Sequence, residues 1–328
     1  MFEDSERSLA ILNYIDTKYG QLIAPIGLFK ACAVISSQLQ WPRLSVLAVA
    51  PSRQFKSQTL KEVEAMFPEE RIIHAGSDFT IHRLFNQTRG DVEKKCIAVN
   101  DGTLLLRSKA RRSKDRLMNG LAELISDGEY QYGDNQNAFT ISGACTAIIN
   151  MTLEAYERYE RDLLSSTFLE RFITLFYNMP EEEQHHYYEF KEKMAEDAGT
   201  PPTIRPNLRW GRMMNLKEYR PVLSSLAKDY SALSMRSFLG CVDQVEALAS
   251  SHAVLNDRFW LCEDDLEIVR LARDYLSNPA SPNKSKIIQM HKQGRSQSDI
   301  CLLLNRNYES YRPFVSKVLK EAKLRGID

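Results

Sequence analysis

The stretch Leu44–Thr59, LSVLAVAPSRQFKSQT, limits what this chain can fold into more than any other. Leu44–Ala50 is an apolar run of strand length, and Pro51-Ser52 breaks it. From Gln58 onward Leu60, Val63, Met66 and Phe67 recur at helical spacing. Strand, turn and helix follow one another directly, which predicts an α/β core.

The turn itself, Ala50–Ser57 (APSRQFKS), has the spacing of a phosphate-binding loop, G-x-x-x-x-G-K-[ST], with both glycines replaced. Such a loop wraps backbone N–H groups around phosphates and aims a helix N-terminus at them. Its lysine reaches the terminal phosphates and its hydroxyl residue holds Mg²⁺. The candidate contacts to ATP are therefore Ala50, Ser52, Phe55, Lys56, Ser57 and Gln58, with Ser57 also a candidate Mg²⁺ ligand. Ala50 and Phe55 stand where glycine would allow a positive φ or a close approach, and Phe55 is the harder departure. The competing reading is an ordinary strand-to-helix turn that carries Lys-Ser.

Composition narrows the setting. The 328 residues are 43% hydrophobic and 26% charged with a formal net charge of +0, so a core can form and any nucleic-acid contact must rest on local patches. The six cysteines form no C-x-x-C pair, which predicts buried, reduced thiols. The opening MFEDSERS is acidic and polar, unlike a signal peptide, and no apolar run reaches spanning length. A cytoplasmic protein without a membrane partner is expected.

Two helices, Ser5–Tyr19 and Ile26–Leu39, are predicted as flanking elements before the first strand. Arg71–His74 is a candidate second strand, and Thr80–Phe85 begins a short helix. Lys95–Val99 is an apolar strand that runs into Asn100-Asp101. A carboxylate at such a strand tip can sit beside Mg²⁺ and a neighbouring one can polarise water. The register leaves two choices: Asn100 at the metal position with Asp101 as base, or Asp101 at the metal position with Gly102 leaving no base. A plain Asn-Asp turn is the bland alternative.

Arg107–Asp115 is a basic run, and Arg111 and Arg112 are candidate DNA-backbone contacts; a solvated helix face explains the same charges. Phe139–Thr146 (FTISGACT) is predicted as a third apolar strand. Thr146 and Asn150 are candidate sensors of the γ-phosphate, although a helix cap accounts equally for Asn150. Arg171, in FLERF, is a candidate arginine finger reaching a neighbouring subunit, or a salt-bridge partner of Glu170. Glu181–Gly199 reads as an exposed helix, and the proline-rich Thr200–Asn207 as a linker. Pro221–Tyr230, Ala232–Ser251 and Glu263–Leu276 carry helical periodicity. After a second linker at Asn278–Asn283, the basic tail reads as three helices in helix-turn-helix order. Gly294 breaks the first, Ser296 and Asp299 cap the second, and Pro313 is expected in the first turn of the third, Tyr308–Leu324. Arg312, Lys317 and Lys320 on the third helix are candidate DNA contacts.

In this order the segments resemble the AAA+ ATPases of DNA replication, most of all the minichromosome-maintenance helicase branch. APSRQFKSQ is similar to the nucleotide loop, CIAVND to the acidic strand, FTISGACT to the sensor strand and FLERF to the finger segment. Ser234-Met-Arg236, VEALASSHAVLNDR and EDDLEIVRLARDYL are similar to the helical lid. The resemblance implies a P-loop NTPase core with an α-helical lid and a C-terminal winged-helix domain. It divides the chain into an N-terminal helical segment (1–40), the core (41–207), the lid (208–278) and the winged helix (283–328). It further implies Asp101 at the metal or water, Arg171 as finger and Arg236 as a second sensor. The expected activity is that of a DNA-associated, homo-oligomeric ATPase in replication, helicase-like work or mobile-element DNA processing. The alternative is an inactive adaptor or DNA-binding regulator on the same scaffold, which the missing glycines favour.

Overall fold

A computed structural model describes residues 4–40, 42–76, 79–106, 111–133, 138–165, 168–205, 213–234, 236–276, 282–304 and 308–324. The strands among them are β1 (Ser45–Ala50), β2 (Ile72–Ala75), β3 (Lys95–Val99), β4 (Glu129–Gly133), β5 (Ala138–Ser142), β6 (Cys145–Thr152) and β7 (Phe172–Phe176). Five of them form a parallel sheet in the order β2-β3-β6-β1-β7, while β4 and β5 pair separately as an antiparallel hairpin.

The sheet is covered on both faces, which is why its strands read as nearly unbroken apolar runs. Along β1 the side chains alternate between two cores: Val46, Ala48 and Ala50 join one, Leu47 and Val49 the other. The first face is covered by α1 (Glu6–Tyr19), α2 (Ala24–Ser36) and α3 (Lys56–Met66). The second is covered by α4 (Ile81–Thr88) and, beyond the short α5 (Thr103–Leu106), by α6 (Arg111–Ser126) and α7 (Leu153–Ser165).

Three expectations change here. The segment expected to flank the core, α2, is instead buried along its whole length. Small residues opposite it, Ala48, Ala50 and Ala98, contribute to the core it shares with the sheet. The strand expected at Phe139–Thr146 is two elements. At Gly143 φ is +119°, and an added Cβ would lie 2.2 Å from the Glu93 nitrogen. The chain turns there, so β5 closes the hairpin and β6 starts afresh in the main sheet. Thr146 accordingly sits at the start of β6, donating to the Ala33 carbonyl at 2.8 Å, at the edge of the sheet remote from the loop.

After β7 come α8 (Glu181–Ala198), which buries no residue of its own, and then α9 (Leu216–Ser234), α10 (Phe238–Leu255) and α11 (Glu263–Arg273). These last helices share the first core with α1 and α2, so apolar packing does not stop at residue 208. A buried polar cluster locks them together. His252 contacts Asp265 at 2.6 Å and Ser8 at 2.9 Å, and Arg258 donates to Asp265 at 2.7 and 2.9 Å.

The tail forms α12 (Pro282–Lys292), α13 (Gln297–Leu303) and α14 (Tyr308–Leu324) around a small core of Ile287, Ile288, Ile300, Cys301, Val315 and Val318. The Ser296–Asp299 capping box is formed, and Gly294 takes φ +77° in the turn before it. Pro313 lies inside α14, not in its first turn. Among the described residues the tail carries no strand, so the wing of a winged helix is not seen there. The linker residues 206–207 and 278–281 lie outside the described residues. Among the described residues no helix is long and apolar enough to cross a membrane.

Candidate functional site

In an open parallel sheet, ligands bind outside the carboxyl ends of strands, where the chain switches direction across the sheet. Strand β1 lies between β6 and β7, and the connection after it leaves toward β2 on the far side of β6. The loop after Ala50 therefore emerges at such a switch point.

The loop adopts the backbone of a glycine-bearing turn without the glycines. Arg53 and Phe55 are both left-handed, at φ 64° and 57°. Several contacts hold them there. The Tyr177 hydroxyl donates to the Gln54 carbonyl at 3.1 Å. The Gln54 side chain donates to Asn178 at 2.7 Å and accepts from the Met179 N–H at 2.8 Å. The Phe55 ring turns away from the loop into the first core, 4.3 Å from the Tyr187 ring and 5.3 Å from that of Tyr19. The loop mouth is thus free of the aromatic side chain that stands in place of glycine.

Helix α3 starts at Lys56, so its free N–H groups face the loop. The Lys56 ammonium folds back onto the carbonyls of Ala50 and Pro51, at 2.9 and 2.5 Å. Burial lowers its pKa to about 8, against the opposing pull of Glu154 and Asp101. Ser57 sits beside the tip of β3, its hydroxyl 3.5 Å from the Asn100 carbonyl. Asp101, exposed, accepts from the Thr103 N–H at 3.0 Å. Gly102 follows it because the backbone is pressed against β6. Its N–H donates to the Asn150 carbonyl at 2.7 Å, and an added Cβ would lie 2.6 Å from Ile149. Any side chain at position 102 would have to displace Ile149 of β6.

Asn150 is buried near the end of β6, and its amide donates to the Lys56 carbonyl at 3.0 Å. Its side-chain oxygen is buried with no hydrogen-bond partner. Ser52 and Gln58 are exposed, at the loop and on the first turn of α3. Ala50, Ser52, Phe55, Lys56, Ser57, Gln58, Asp101 and Asn150 therefore gather at one edge of the sheet.

Arg171 and Arg236 do not join them. Arg171 ends the short turn before β7, whose first residue, Phe172, pairs with Ser45 at the start of β1. Arg236 is buried, bonded to the carbonyls of Leu169 and Phe172 and to the Thr174 hydroxyl. It ties α10 to the sheet edge opposite the loop. The candidate second sensor is thus bonded to β7 and the turn before it, and not to the loop.

Of the basic candidates, Arg312 and Lys320 are exposed on α14, and the Arg312 guanidinium lies 5.7 Å from the Tyr308 ring. Arg111 and Arg112 open α6 and Lys317 lies within α14, but their side chains lie outside the described residues, as do residues 107–110.

Four residues at the site escape a motif search. Gln54 and Tyr177 hold the loop, Glu154 in the first turn of α7 bears on Lys56, and Lys30 of α2 donates to the Lys56 carbonyl at 2.7 Å. Lys30 does leave a trace: it is the lone charge in the apolar run PIGLFKACAV, which marks a buried, partnered amine. No protein-family model matches this chain, and no curated protein matches it either.

Proposed function

We propose that the chain is a nucleoside-triphosphate-binding protein of the P-loop kind, an ATPase that works on DNA. The observation that carries this reading is the glycine-free loop held in left-handed turns at Arg53 and Phe55. Its lysine, the first turn of α3 and the acidic tip of β3 all converge at the switch point of the sheet. Lys56 would leave the Ala50 and Pro51 carbonyls to meet phosphate oxygens, while backbone N–H groups cradle them. Ser57 and Asp101 supply a hydroxyl and a carboxylate, oxygen donors of the kind a hard cation prefers. Among the described residues no cluster of three or more acidic, histidine or cysteine side chains could cage a metal alone. Mg²⁺, which keeps waters and takes phosphate oxygens as ligands, would when bound neutralise charge on the phosphates. Asp101 and Glu154, the acids that bear on Lys56, would orient an attacking water.

Arg171 lies on the far edge of the sheet, so as a finger it would serve the loop of a neighbouring copy in a homo-oligomer. The three-helix tail, with Arg312 and Lys320 exposed, would hold DNA backbone.

A second reading, a non-hydrolysing adaptor on the same fold, is favoured by one feature: the residue after Asp101 is a glycine packed against Ile149, which supplies no second acid. ATP turnover with and without duplex DNA, measured beside Lys56→Ala, separates the two. Turnover abolished by the substitution supports the ATPase. Nucleotide binding without turnover, with DNA binding kept, supports the adaptor.

A further inference from the structure

Lys30 lies in the middle of α2 with no exposed surface. Its amine donates to the Lys56 carbonyl at 2.7 Å and to the Thr59 hydroxyl at 2.8 Å, both in the first turn of α3. The Lys56 carbonyl also accepts from Asn150, so two side chains from different elements converge on it. The charged groups that bear on Lys30 are both on α3: Lys56, which repels it, and Glu64, which attracts it. Glu64 is itself 3.4 Å from His74 of β2.

Holding a helix turn needs only a neutral donor, and a buried amine without a paired carboxylate is a costly way to supply one. Burial, with repulsion from Lys56, drives its pKa well below the ordinary lysine value. A polyanion in the loop would oppose that shift, since it lies beyond the same turn and draws positive charge toward it.

We infer that Lys30 is a concealed second cation of the phosphate site, a positioning residue that fixes the first turn of α3 from behind the loop. This rests on the phosphate-site reading above and adds a residue to it. The loop's anion would then be met by one lysine directly and by another from behind the backbone.

Calorimetric titration of Mg·ATP into the full chain, in two buffers of different ionisation heat at about pH 8, counts the protons taken up on binding. Lys30→Met and Lys30→Gln are compared with the unaltered chain and with Lys56→Ala. Both Lys30 variants should melt no lower than the unaltered chain, bind about 10-fold more weakly and take up fewer protons. A purely structural lysine would leave the proton count unmoved. Binding lost in Lys56→Ala but equal in affinity and proton count in both Lys30 variants would overturn the Lys30 role alone. Failure of both variants to fold would assign the amine to the fold and overturn it too. No binding by the unaltered chain would overturn this and the phosphate site together.

Discussion

Arg53 and Phe55 each hold a left-handed backbone that costs a non-glycine residue about 1–3 kcal/mol. Removing a buried phenylalanine ring costs about 3–5 kcal/mol. Ring burial between Tyr19 and Tyr187 is thus large enough to offset the strain at Phe55, and the hydrogen bonds of Gln54 hold the residue between them. Phe55→Ala should lower unfolding stability in urea by about 3–5 kcal/mol, whereas Arg53→Gly should raise it by about 1 kcal/mol, the relieved left-handed strain less the extra chain entropy of a glycine. At Lys56, burial lowers the pKa to about 8, and this gives two opposite trends with pH. The unfolded chain holds that proton up to the ordinary lysine range, so above about pH 8 the ligand-free protein gains stability relative to Lys56→Met. Across the same range the loop loses its cation, and affinity for phosphate should fall by up to 10-fold for each pH unit. Melting curves and ATP titrations from neutral pH upward check both signs.

At the scale of elements, β1, β3, α3 and the Ser296–Asp299 cap were legible because each carries its own local signal: an apolar run, a period of 3.6 or a capping pair. The hairpin was not. FTISGACT is continuously apolar enough to read as one strand, and only the φ of Gly143 divides it. Gly143→Ala should therefore destabilise the protein by more than about 2 kcal/mol, because its Cβ would meet the Glu93 backbone and not a movable side chain. A substitution there that left the melting temperature unchanged would contradict the division. On α14, Arg312 and Lys320 are exposed. If they contact DNA phosphates, replacing either by alanine should reduce the slope of log binding constant against log salt by about 1 without changing sequence preference.

Across the whole molecule, a single core joins the two N-terminal helices, one face of the sheet and the helices α9–α11. The sequence suggested separate segments there, since a boundary is inferred from proline-rich linkers and a linker says nothing about what packs against what. The apolar run around Lys30 marks a buried amine, but its partner on α3, like the Ser8–His252–Asp265 contact, lies too far along the chain for a local pattern to reveal. Burial alone would raise the Asp265 pKa, but hydrogen bonds and charge from His252 and Arg258 prevail and hold it below the usual carboxylate range. Its contribution to stability is thus present above the ordinary aspartate pKa and is lost as pH falls through the lowered one. Asp265→Ala, which leaves Arg258 uncompensated, should cost about 3–5 kcal/mol at neutral pH, read by chemical denaturation.

The same assembly presents the loop at the switch point of the sheet, and its use there is best tested by equilibrium binding of Mg·ATP to the full chain beside Lys56→Ala. Saturable binding at one site per chain is expected, and Lys56→Ala should remove it. No saturable binding, or binding that Lys56→Ala leaves intact, would contradict that expectation.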